Sequence, residues 1–174
     1  VLKYPEYFEK LIWVAPAGIE TFTEEQDGIM KAYYTPEMVK NATEDQIRSN
    51  FMANFYEFQE DAAFMIQDRI AMKSASDFDI YAEIIVNNIC AMLEEPVYED
   101  LDKITIPVLI IYGENDQLIP NKYFHPNQDI VFLVKAAKGK IPNLKVELIP
   151  EAGHFVNFEK ASEVNQKIHG FIQN

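Results

Sequence analysis

A single cysteine in 174 residues excludes an internal disulfide, and nothing points to an oxidising compartment. Cys90 sits in an apolar helical stretch with no histidine nearby in sequence, so it reads as a core thiol rather than a nucleophile. No run approaches the roughly 20 apolar residues of a membrane span, and no signal-peptide pattern opens the chain. The expectation is a cytoplasmic protein without a membrane span. Basic residues are scarce: 15 Lys and Arg stand against 28 Asp and Glu, for a net charge of −13. That balance disfavours nucleic acid, anionic membranes and polyanionic substrates as partners. The deficit is local, because Ala17 to Asp100 holds 18 acidic and 5 basic residues while the remainder is balanced. A set of solvated helix faces is the favoured account of it. The three histidines are dispersed and have no cysteine cluster beside them, so no zinc pattern exists. No glycine-rich phosphate loop follows a strand, which leaves a nucleotide role without support.

What is present is strand-like at three places. Lys10 to Ala15, Val108 to Tyr112 and Val146 to Ile149 are apolar without alternation, as expected for a parallel sheet covered on both faces. A crossover helix is expected from Asp129 to Lys138, closed by Gly139 in a left-handed conformation and stopped by Pro142. A last helix, about Glu159 to Gln173, carries an apolar stripe of Val164, Ile168, Phe171 and Ile172. Between Thr21 and Glu95 there is no convincing strand. Thr23 with Gln26 and Thr43 with Gln46 fit capping boxes, and Thr35-Pro36-Glu37 fits a helix start. Helical spacing aligns Ile47, Phe51, Phe55 and Phe58 on one face, and Tyr81, Ile84, Ile85, Ile89 and Met92 on another.

Two segments share one design: an apolar run, a sharp turn, then a side chain able to do chemistry. The first is Pro107-Val108-Leu109-Ile110-Ile111-Tyr112-Gly113-Glu114-Asn115-Asp116. The second is Lys145-Val146-Glu147-Leu148-Ile149-Pro150-Glu151-Ala152-Gly153-His154. A carboxylate and an imidazole thus fall at the carboxyl ends of two strands, where open α/β sheets build their sites. Read singly, Asp116 is also a turn residue closing a strand, and His154 a loop histidine bonding locally.

Lys3-Tyr4-Pro5-Glu6 through Val14-Ala15-Pro16 resembles the end of a helix that follows a catalytic nucleophile, and the strand after it. Ile106 through Pro120 resembles an acid-bearing strand and loop, and Ile149 through Phe155 a histidine-bearing loop. Together they make the chain resemble the C-terminal half of an α/β-hydrolase-fold protein with a helical cap. The resemblance implies an α/β fold with residues 1–16 and 101–174 as a partial hydrolase core. Residues 17–100 would be a helical cap or lid. It implies a hydrolase that needs no cofactor or metal and acts on a small-molecule substrate. Asp116 would be the triad acid and His154 the base, with Leu118, Ile119 and Phe155 as apolar pocket wall. The family order of nucleophile, acid and histidine is respected.

The nucleophile elbow is missing. No Gly-x-Ser-x-Gly occurs, and Ser49, Ser74, Ser76 and Ser162 lie in or beside helical stretches. The nucleophile and the oxyanion donors are therefore expected upstream of Val1, in a missing N-terminal half of the fold, and these residues alone should be catalytically dead. The expected substrates are carboxylic esters or related small uncharged acyl compounds. An aspartate nucleophile would instead give an epoxide hydrolase or haloalkane dehalogenase, and a chain with no nucleophile a hydrolase-like binding scaffold. The segment Asn121 to Gln128 lengthens the loop after Asp116, and its His125 is expected to be exposed. His169 is expected to be structural or solvated.

Overall fold

The run Val108–Gly113 is apolar at every position because both of its faces are covered. In the computed structural model, which describes Val1–Gln173, this run is strand β2, with β1 at Leu11–Val14 and β3 at Leu144–Ile149. β2 lies between the other two and pairs in parallel with both. Side chains alternate across a strand. Val108, Ile110 and Tyr112 therefore enter one buried cluster, and Leu109 and Ile111 another. Helix α6, Ile130–Lys140, covers the first face with Ile130, Leu133, Val134 and Ala137, at the spacing of one helix face. Val156 and Val164 cover the second. Each fully buried Val, Leu or Ile contributes roughly 1.5–3 kcal/mol relative to exposure, so these two layers hold β2 and its carboxyl end rigidly.

The helices form where capping and periodicity place them, with five corrections. Asp129 caps α6, its Oδ1 accepting from Phe132 N at 2.9 Å. However, α6 runs through Gly139 to Lys140, and Gly139 is not left-handed. The helix stops instead at Ile141, which Pro142 drives toward extended backbone (φ −92°, ψ 115°) by crowding the preceding residue. The expected last helix is two, α7 at Val156–Glu159 and α8 at Ala161–Gln173. Val164, Ile168 and Phe171 pack on the sheet, but Ile172 is 56% exposed. Lys167 of α8 also bonds Glu147 of β3 at 2.9 Å. Partial burial alone would raise the Glu147 carboxyl, but bonds from Lys167 and Lys145 overcome it and hold it below the usual range.

Among the described residues, contacts divide the chain into two compact units. One comprises Val1–Glu20, Ala53–Glu57 and the chain from Val97 onward; the other comprises Thr21–Met52 and Phe58–Pro96. This differs from a single 17–100 insertion, because residues 53–57 return to the sheet-bearing unit.

The second unit is helical throughout: α1 at Glu24–Tyr33, α2 at Pro36–Asn41, α3 at Glu44–Met52, α4 at Ala63–Ala71 and α5 at Phe78–Glu94. Both capping boxes are formed, with Thr23 N on Gln26 Oε1 and Thr43 N on Gln46 Oε1, each at 2.8 Å. Thr35 caps α2 by accepting from Met38 N at 3.1 Å. α3 ends at Met52, so Phe55 and Phe58 do not extend the face of Ile47. Along α5 the buried side chains are Phe78, Ala82 and Leu93, while Ile84 is 51% and Met92 39% exposed. The expected stripe is thus rotated toward Phe78. No helix among the described residues is long and apolar enough to cross a membrane.

Candidate functional site

Asp116 is the one buried polar or charged residue among those described, at 6% exposure. A carboxylate out of water needs partners for its oxygens, and the turn after β2 supplies them. Oδ1 accepts from Leu118 N at 2.8 Å and Ile119 N at 3.1 Å. Oδ2 faces His154 Nδ1 at 2.8 Å. Every acceptor direction toward the chain is used, so the carboxylate cannot rotate away from the imidazole. His154 keeps a side-chain exposure of 23%, against 0% for Asp116. Its Nε2 makes no hydrogen bond to a described residue.

Two glycines make this meeting possible. A Cβ on Gly113 would lie 2.2 Å from Gly153 O and 2.3 Å from Ala152 O. A Cβ on Gly153 would lie 2.7 Å from Asn54 O and from Tyr56 N. The loop after β3 is thus pressed between the end of β2 and the returning segment 53–57, with backbone against backbone. Glu114 N bonds Ile149 O at 2.9 Å, Asn115 N bonds Ala152 O at 3.0 Å, and Phe155 N bonds Asn54 O at 2.9 Å. Two non-glycine residues adopt left-handed backbone here, Ala15 just after β1 (φ 44°) and Glu151 before His154 (φ 51°). Such conformations cost of order 1–3 kcal/mol and persist where the surroundings over-determine them.

Glu159 is a residue that the sequence pattern does not single out. Its Oε2 accepts from Gly153 N at 2.7 Å, and its Oε1 from Tyr56 N at 2.9 Å and Glu57 N at 3.2 Å. One carboxylate therefore ties the histidine loop to segment 53–57 through three backbone donors. No local signal marks it, since its partners lie both six and about a hundred residues away. Glu159→Gln replaces one acceptor oxygen with a donor and sets an amide against an N–H. The expected cost is about 2 kcal/mol, read as a lowered urea midpoint at unchanged slope.

The apolar residues expected around the pair divide. Leu118 is 39% exposed beside the site, while Ile119 is 8% exposed and packs into the core under Tyr112. Ile119 brings its backbone N–H to Asp116 rather than its side chain to a pocket. The Phe155 ring meets Phe55 edge-on at 5.3 Å. Tyr112 hydroxyl donates to Pro16 O at 3.2 Å. Burial, then the negative charges of Asp116 and Glu20, push that hydroxyl above the usual tyrosine range.

His125 is not a solvated loop residue. Its side chain is 14% exposed and its Nδ1 meets Glu20 Oε1, which also accepts from Asn121 N at 2.7 Å. The lengthened loop is thereby fastened to the segment after β1. His169 is exposed on α8. No group of three metal-ligating side chains occurs among the described residues.

No family model matches the sequence. The chain is 27% identical over 193 residues to the AB hydrolase superfamily protein YfhM of Bacillus subtilis, covering 98% of this chain and 59% of that protein. It is 27% identical to serine hydrolase BPHL of Mus musculus, covering 98% of this chain and 48% of that protein. A probable hydrolytic enzyme from Pseudomonas aeruginosa PAO1 superposes with a TM-score of 0.83 at 21% identity, over 99% of this chain and 58% of that one. The chain thus spans between about half and three fifths of these relatives.

Proposed function

Because this chain belongs to the α/β-hydrolase superfamily and carries part of that fold, we propose that it supplies the acid–base pair of a hydrolase. The buried Asp116 carboxylate, held 2.8 Å from His154 Nδ1, is the observation that carries this reading. With Oδ1 committed to two backbone donors, Oδ2 accepts the Nδ1 proton and leaves Nε2 as the acceptor on the partly exposed edge of the ring. Nε2 then takes the proton of a nucleophile as it attacks, and Asp116 stabilises the imidazolium that results. Nε2 later returns the proton to the leaving group. The nucleophile and the oxyanion donors come from sequence outside these 174 residues. That one relative is a serine hydrolase supports a serine nucleophile, and the substrates proposed are small uncharged esters or related acyl compounds. Leu118 and Phe155 are the apolar residues placed to flank the substrate.

The test uses the full-length parent protein and a fluorophosphonate probe, which captures an activated serine. Labelling of the parent, its loss in His154→Ala, and no labelling of the 174-residue chain alone are the expected results. A parent that hydrolyses alkyl halides or epoxides but resists the probe would replace serine with aspartate. A parent inert to every substrate would leave a binding scaffold.

A further inference from the structure

The helical unit contains a cavity of about 590 Å³, lined entirely by its own residues. That volume falls in the range of small-molecule sites. Most of its wall is apolar, including Val39, Ile47, Phe51, Ile85 and Ile89. Into this lining comes Arg69 of α4. Its guanidinium lies over the rings of Phe78 and Tyr81, 4.9 Å from each centroid, while those rings stack on one another. Cation–π contact of this kind fixes the plane and position of the donor fork. The fork is poorly used within the protein. Nη2 reaches Val39 O at only 3.5 Å, and Nη1 is buried with no acceptor among the described residues. Among the described residues no carboxylate is ion-paired with Arg69, although acidic residues dominate this stretch of sequence.

A partly buried guanidinium, positioned by two rings and only weakly bonded at Nη2, beside an apolar wall is complementary to one ligand chemistry. We propose that this cavity binds an amphiphilic monocarboxylate, its carboxylate on Arg69 and its hydrocarbon part against Val39, Ile47, Phe51, Ile85 and Ile89. A carboxylate suits the planar fork and supplies a charge-assisted acceptor where Nη2 has only Val39 O at 3.5 Å. The apolar wall selects for an alkyl or aryl tail. The acidic balance of the surrounding sequence disfavours polyanions as ligands. The site involves neither Asp116 nor His154 and does not depend on the hydrolase reading.

The probes are decanoate and its uncharged counterpart decanol, each titrated calorimetrically into the 174-residue chain. Decanoate is expected to bind at one site and at least about tenfold more tightly than decanol, the effect of a single charge-assisted contact. Arg69→Gln is expected to bring decanoate down to the affinity of decanol without changing decanol binding, and Arg69→Lys to restore part of the difference. A purely structural role for Arg69 would weaken both ligands together. Equal binding of the two ligands by the unaltered chain, or binding of neither, overturns the proposal even if the Arg69 variants fail to fold.

Discussion

Asp116→Asn in the full-length parent is expected to lower kcat about ten-thousand-fold while leaving the fold intact. The reason is specific to this turn. Leu118 N and Ile119 N both donate to Oδ1, so the amide oxygen of an asparagine must take that position. The amide nitrogen is then forced toward His154, whose Nδ1 must accept rather than donate. The ring proton moves to Nε2, and the base that should receive the nucleophile's proton already carries one. Flipping the amide restores the contact to His154 only by setting an NH₂ group against two backbone donors. Steady-state kinetics with an activated ester, alongside a thermal melt, separates the outcomes. A loss under about tenfold with the fold preserved would remove Asp116 from the proton-transfer machinery.

Gly113→Ala is expected to be the most damaging single methyl group in the chain. Its Cβ would enter backbone oxygens of Ala152 and Gly153 at 2.3 and 2.2 Å, and neither carbonyl can retreat. Ala152 O accepts from Asn115 N, and Gly153 is closed in from behind by Asn54 and Tyr56. A destabilisation of at least about 4 kcal/mol is expected, against a typical total stability of 5–15 kcal/mol. Urea denaturation followed by circular dichroism measures it. Gly139→Ala, at an exposed helical glycine with open space around it, is the matched control and should be neutral or stabilising.

These residues also show where sequence reasoning reaches. The β2 run and the positions of Asp116 and His154 are legible because burial on two faces forces an unbroken apolar segment, and the residues after it have only the turn to occupy. The Phe55 and Phe58 assignment fails for a reason in the backbone. A helical period continues through them, but Asn54 O is taken by Phe155 N, and Phe55 packs edge-on against Phe155 and Phe158. Contacts a hundred residues distant outweigh the local periodicity. Ile84 and Met92 fail differently: on a helix this rich in apolar residues, several stripes fit, and only packing chooses Phe78, Ala82 and Leu93. Glu159, Arg69 and the Glu20–His125 pair carry no local signature, since each acts on a chain segment far from its own.

The return of Ala53–Glu57 to the sheet-bearing unit has a consequence for anyone recombining such proteins. Residues 17–100 look like a cassette that could be exchanged for another to alter selectivity. They are not one, because the cut would carry away Asn54, Tyr56 and Glu57, whose backbone atoms hold Phe155 and Glu159. A chimaera designed at the outer junctions alone would inherit an unsupported histidine loop. Exchange at four junctions, keeping these five residues with the recipient, preserves the half-site and frees the helices on either side to vary.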